Sequence, residues 1–218
     1  LPNSVRGPTA ASTACFEFLP TVGGGRYRVA PRSAGTGDVL DFAAADQTFD
    51  VIVGMNLPAS FAGSAARHVV IYNLGILGAD AYAGTTRAQI NTTAGSLATS
   101  GNIVLTAAMQ FPFESPGRRF HVIEDLATVY VISDGALMRQ TQAIGAQMAT
   151  CPVTTRAACT AASSCAILVG GANLAVAGSF NYAAAATERS GLLEMTLVLT
   201  QQGESVRLYH EMHVNNVP

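Results

Sequence analysis

The sequence predicts a mainly β fold built from antiparallel sheets, and three observations predict it. Apolar residues come in short, strand-length runs separated by Gly, Asn, Asp, Ser and Thr. Two adjoining segments near the C-terminus alternate apolar and polar with a period of two. No long amphipathic helix and no internal repeat is visible.

Taken in order, Phe16–Leu19 and Arg26–Val29 read as strands flanking Gly23-Gly24-Gly25, a wide hairpin turn. Val39–Phe42, Phe49–Val53 and His68–Asn73 are three further short strands. Leu74–Ser100 is rich in Gly, Ala and Thr and reads as loop with at most one helical turn. Ile103–Phe111 is a long strand ended by Pro112, and Phe120–Glu124 follows. Thr128–Ile132 and Ala136–Arg139 form a hairpin across Ser133-Asp134-Gly135. Residues 140–164 are an inserted loop, and Leu174–Tyr182 is a strand interrupted by Gly178. In Leu193–Thr200 the odd positions are all apolar, whereas in Val206–Val214 the apolar residues fall mainly at even positions. With Gln201–Glu204 as the turn, this is a terminal antiparallel hairpin with one face on a core and one in water.

Composition narrows the function. The chain has 218 residues, of which 49% are apolar and only 12% charged, about half the usual charged share. A chain of this length buries a sizeable core without a metal. The net charge is −2 and the pI about 6.1, so no basic stripe exists to neutralise phosphates and nucleic acid is not a main partner. All twelve basic residues are Arg, a feature of genomic bias before physics. Mean hydropathy is +0.31, yet no apolar run reaches the ~18 residues of a membrane-spanning helix.

The residues that carry chemistry are few. There is no G-x-S-x-G elbow, no H-E-x-x-H, no P-loop and no dinucleotide fingerprint. His210 and His213 form an H-x-x-H pair, which on a strand points to opposite faces and holds no metal. Asp38, Asp41, Asp46 and Asp50 cluster around Phe42. Carboxylates in a loop can bind calcium, although the spacing is not that of an EF-hand and Asp also caps turns. The four cysteines, Cys15, Cys151, Cys159 and Cys165, show no C-x-x-C step. An even count favours disulfides and an oxidising compartment over a zinc site or a thiolate nucleophile. Three pairings are open. No catalytic residue and no cofactor is expected.

Several segments, in order, resemble one family. Leu1-Pro2-Asn3-Ser4-Val5-Arg6, Cys15-Phe16-Glu17-Phe18-Leu19-Pro20 and Gly24-Gly25-Arg26-Tyr27-Arg28 are similar to the start of the MSHA-pilus biogenesis protein MshO family. Ser115-Pro116-Gly117-Arg118-Arg119-Phe120, Val129-Tyr130-Val131 and Gly135-Ala136-Leu137-Met138-Arg139 resemble its middle. Leu208 to Pro218 resembles its C-terminus. The resemblance implies a prepilin-like minor pilin, related to the pseudopilin J group. Residues 1–6 would close a hydrophobic N-terminal helix, truncated here, and residues 7–218 would be the β-rich globular head. That helix would anchor the subunit in the inner membrane, with a periplasmic head that becomes extracellular in the fibre. Its partners would be other minor and major pilins and the inner-membrane assembly platform, in an initiation or tip complex. Where relatives often carry two cysteines this chain has Ile132 and Gly178, so their disulfide map does not transfer. Cys151, Cys159 and Cys165 would instead staple the inserted loop.

The resulting expectation is a non-catalytic fibre subunit acting through loop surfaces, above all Leu74–Ser100 and Ala149–Ser164. A pseudopilin of a type II secretion system is the alternative. A secreted β-sandwich hydrolase or sugar-binding module is a more distant one. It would need a cleft lined by His121, Glu124 or Asp134, and a chain without Trp supplies few aromatic platforms for sugars.

Overall fold

The computed structural model describes residues 1–32, 35–52, 66–92, 101–183 and 190–215. It is mainly β, with antiparallel sheets throughout. The chain divides into two compact units, one formed by Pro20–Asp125 and the other by Pro2–Leu19 with Leu126–Val217. In sequence the first unit is inserted into the second, between Leu19 and Leu126.

The inserted unit holds strands β2 (Thr21–Arg26), β3 (Asp46–Asp50), β4 (Arg67–Ile71), β5 (Arg87–Gln89), β6 (Asn102–Met109) and β7 (Arg119–Glu124). Its main sheet runs β2-β7-β4-β5, and β3 pairs with β6. Alternation places Val69 and Ile71 opposite Val122 and Phe120 on one face. That face shares a core with Phe49, Ile103 and Leu105, and Phe49 meets Phe120 edge-on at 5.9 Å. Tyr27 is fully buried there, and its hydroxyl accepts the Ser115 N–H at 2.9 Å.

Three local expectations fail in this unit. Gly23-Gly24-Gly25 is not a hairpin turn but the body of β2, paired with Val122, His121 and Phe120. A Cβ on Gly24 would lie 2.9 Å from the Phe120 carbonyl oxygen, so glycine serves a close strand approach here. Val39–Phe42 is irregular, although Leu40 is buried and donates its N–H to Arg28 O at 3.3 Å. Within Leu74–Ser100 the short strand β5 adds to β4. Residues 93–100, and Val53 of the expected Phe49–Val53 strand, lie outside the described residues.

The outer unit holds β1 (Cys15–Phe18), β8 (Leu126–Ser133), β9 (Ala136–Ala143), β10 (Cys165–Val169), β11 (Ala175–Ala183), β12 (Ser190–Gln201) and β13 (Glu204–Asn215). One sheet runs β1-β8-β9-β10 and the other β11-β12-β13. Leu1–Arg6 is not the end of a helix in this structure. Asn3 has a positive φ of 54° and Arg6 bridges to Glu17, exchanging main-chain bonds of 3.0 and 2.9 Å. This gives β1 a neighbour on its otherwise open edge.

The four-stranded sheet is buried on both faces. Phe16, Ile132 and Leu137 meet Val176, Phe180, Leu193 and Leu197 of the three-stranded sheet. On its other face, Cys15, Val129, Val131 and Met138 pack with Val153 and half-buried Met148 of the 144–164 loop. Apart from a 3-10 turn at Ala161–Ser163, this loop has no regular structure to hold it down. Two disulfides do so: Cys15–Cys151 ties it to β1, and Cys159–Cys165 closes its end onto β10. Only the second pairing is internal to the loop and its flank, as the sequence suggested for all three late cysteines. Glu17, 1% exposed on the Cys15 side of β1, receives Arg6 Nε at 2.5 Å and Gln142 Nε2 at 3.1 Å.

The two bridges differ in how much chain entropy each removes from the unfolded state. Serine at Cys15 and Cys151 releases a loop of 136 residues and is expected to lower unfolding stability in urea by about 5 kcal/mol. The Cys159–Cys165 pair, spanning 6 residues, should cost about 2 kcal/mol. A second test concerns Gly178, where a Cβ would come within 2.0 Å of the Thr196 carbonyl oxygen. Gly178→Ala should therefore cost at least about 2 kcal/mol in the same assay.

Candidate functional site

The C-terminal hairpin carries a group of exposed large apolar side chains on one strand, Val206, Leu208, Tyr209 and Met212. Its two-residue turn, Gln202-Gly203, has positive φ at both positions (51° and 87°), the conformation whose twist matches the flanking strands. The turn sets a register that runs unbroken from Gln201↔Glu204 to Ser190↔Asn215. β12 lies between β11 and β13, whereas β13 is an edge strand.

Strand β12 follows the alternation, with Leu193 and Leu197 buried and Met195 and Leu199 packed beside them. Strand β13 does not follow it as expected. Val206, Leu208 and Met212 stand opposite Leu199, Leu197 and Leu193, yet are 59%, 47% and 37% exposed. Only Val214 packs against the core. The sequence showed the correct face, but the covering layer ends at β12.

The opposite face of this sheet is polar and electrostatically unbalanced. Glu194 and Glu211 are directly opposed across the strands, a like-charge pairing that destabilises a sheet. Asn181 donates to Glu194 at 3.0 Å and Tyr209 donates to Glu211 at 2.5 Å. That hydrogen bond, with the neighbouring carboxylates, pushes the Tyr209 hydroxyl up to about 12. Among the described residues no basic side chain forms an ion pair with either glutamate, and Arg207 pairs with no acid.

The other residues singled out in the sequence are distributed as follows. His210 and His213 do point to opposite faces of β13, facing Met195 and Leu192. The four aspartates are engaged locally. Asp46 accepts the Asp41 N–H at 2.9 Å and the Thr48 N–H at 3.2 Å, and Asp41 accepts the Ala43 N–H at 2.7 Å. Asp38 accepts the Thr48 hydroxyl, and Asp50 lies 3.6 and 3.5 Å from Arg28 and Arg32. Turn capping and ion pairing account for these side chains. Among the described residues no three His, Cys, Asp or Glu are gathered as metal ligands would be. His121 and Glu124 fall on opposite faces of β7, and Asp134 belongs to the other unit, where it receives the Arg156 N–H at 2.8 Å. The three residues are thus not on one face of one unit.

Sequence reasoning missed one polar group. Across the inserted sheet, Val70 is paired with both Arg87 and His121, while His68 sits two residues away on the same face. Asp125 lies 3.8 Å from His68 and 3.7 Å from Arg87. Burial pushes the His68 imidazole down, with Arg87 adding to the effect and Asp125 opposing it. Burial also brings His121 down to about 4. Both are therefore neutral at pH 7. His121 and Thr21, Val22, Gly23 and Gly24 line an open groove at the β2 edge. The four strands come from distant sequence positions, and no local pattern announces the cluster.

The two disulfides fit an oxidising compartment. No helix among the described residues is long and apolar enough to cross a membrane. In comparisons with protein-family models, curated proteins and solved structures, nothing matches this chain.

The half-buried histidines predict a pH response with a definite sign. Their folded-state pKa lies below the ordinary value of 6.5, so the unfolded chain binds more protons at mildly acid pH. Stability is then full above about pH 6.5 and falls toward pH 4, by up to about 1 kcal/mol per pH unit for His121. His121→Gln should flatten the slope of melting temperature against pH across this interval.

Proposed function

We propose that this chain is a non-catalytic assembly subunit, the β-rich head of a minor pilin of the MSHA-biogenesis type. The observation that carries the assembly role is the uncovered apolar half of the C-terminal sheet, Val206, Leu208 and Met212 on the edge strand β13. A protein that works by contact needs a rigid scaffold behind an apolar surface, and the disulfide-closed sheet pair supports that requirement. The pilin class rests on the ordered segments from Leu1–Arg6 through Ser115–Phe120 to Leu208–Pro218. The edge strand thereby replaces the loops Leu74–Ser100 and Ala149–Ser164 as the favoured contact region. In this role the head joins other minor and major pilins in an initiation or tip complex, carried by an apolar N-terminal stem.

Two measurements test the reading. The residues encoded before Leu1 should include a short basic leader and about twenty apolar residues. A cleavable secretory leader without a stem would overturn the pilin class. In a bacterium that builds the corresponding fibre, the doubly substituted Leu208→Glu, Met212→Glu protein should accumulate normally, while surface fibres counted by electron microscopy fall severalfold. Undiminished fibres would remove β13 from assembly.

A further inference from the structure

The contact surface proposed above has an occupant that its own residues specify. Because the two-residue turn closes on the pair Gln201↔Glu204, that pair is hydrogen-bonded, and the pairing type alternates along the ladder. The even residues of β13 therefore direct their N–H and C=O toward β12. The odd residues, Ser205, Arg207, Tyr209, Glu211 and His213, direct theirs outward from the sheet edge. No strand among the described residues takes up these groups. Natural edges are usually blunted by Lys, Pro, a bulge or a short length. This one spans 12 residues with neither Lys nor Pro, and its register has no shift.

We propose that the free edge of β13 pairs antiparallel with β13 of a second copy, about a two-fold axis at Tyr209, joining two three-stranded sheets into one of six strands. The register follows from side-chain chemistry. With Tyr209 opposite its own equivalent, Arg207 faces Glu211 of the second copy, and Glu211 faces its Arg207. Each unpaired base thus meets an unpaired acid, and each arginine also approaches the Glu194–Glu211 opposition that lacks a cation. On the other face, Val206 and Met212 face each other reciprocally across the axis, extending the apolar stripes of the two copies into one. The five odd residues of each copy offer one N–H and one C=O apiece, enough for ten main-chain bonds.

Other in-phase registers are worse. Moving the axis to His210 sets Arg207 against His213, and moving it to Leu208 sets Arg207 against Tyr209. Moving it to Arg207 or Glu211 opposes like charges directly. A shift by a single residue in the pairing sum would put outward-facing groups against inward-facing ones. A two-fold pairing also closes on itself rather than propagating.

The test is a charge exchange read by sedimentation velocity across a concentration series. The wild-type chain is expected to show a monomer–dimer equilibrium. Arg207→Glu alone and Glu211→Arg alone should each weaken self-association by on the order of tenfold, since both contacts of the symmetric pair become like-charged. An equimolar mixture of the two variants should regain the dimer. In the mixed pair the glutamate introduced in one chain faces the arginine introduced in the other, and the remaining native Glu211 and Arg207 still face each other. The double variant R207E/E211R should regain the dimer as well. Tyr209→Pro, which removes an outward N–H at the axis, should abolish the dimer while circular dichroism stays unchanged. A chain that stays monomeric at every concentration would overturn the self-pairing. So would a dimer indifferent to these changes, or a mixture that fails to recover. A monomeric chain whose fibres still depend on Leu208 and Met212 would overturn the self-pairing alone and leave the assembly role standing.

Discussion

A chain that makes almost no helix must satisfy most of the main-chain N–H and C=O groups it buries through neighbouring strands, because an unpaired buried peptide group is costly. The organisation of this molecule follows from that demand. Where an edge is covered, an unusual segment does the covering: Arg6 bridges alongside β1, and β10, anchored by Cys159–Cys165, lies alongside β9. Where a strand must come unusually close to its partner, glycine permits it, as Gly24 does beside Phe120 and Gly178 beside Thr196. β13 is the long edge that no described segment covers, and the same demand makes it the surface most suited to a partner.

The outer unit shows how a β-sheet is covered when only one partner sheet is available. Cys15 and Phe16 are consecutive on β1 and point to opposite sides. Phe16 enters the aromatic group with Tyr130 and Phe180, at 5.5 and 4.8 Å, while Cys15 anchors the loop on the far side. The loop offers few large apolar residues, chiefly Met148 and Val153. Its burial gives a modest hydrophobic gain against the entropy of ordering it. A covalent bridge reduces that entropy difference by constraining the unfolded chain. The Arg6–Glu17 ion pair, joined by Gln142, supplies hydrogen-bond partners for a carboxylate that would otherwise be buried alone. The disulfides therefore belong to the way the sheet is closed, and suit an oxidising environment.

Little of the chemistry here converges. The carboxylates named around Phe42 cap turns and hold arginines, and His121, Glu124 and Asp134 are dispersed over faces and units. A second polar grouping in the inserted unit, His68, Arg87 and Asp125 with His121 on the same face, holds two imidazoles in their neutral form, mainly through burial. That arrangement ties stability to pH.

The strands were largely legible because alternation is a local property. A period of two in 193–200 and 206–214 specifies the hairpin, and Gln202-Gly203 specifies its turn. The even cysteine count likewise pointed to disulfides. What the sequence by itself determined is thus the mainly β class and which face of each clear strand is apolar. Tertiary structure alone decided which strands meet, since Gly23–Gly25 has the composition of a turn until β7 lies beside it. It also decided which of three cysteine pairings forms. Finally, it decided whether an apolar face is covered at all, for Leu193 and Leu208 belong to equally regular patterns yet only Leu193 is buried. The reason is that periodicity fixes a side chain's direction, whereas burial depends on a second surface arriving from a distant part of the chain.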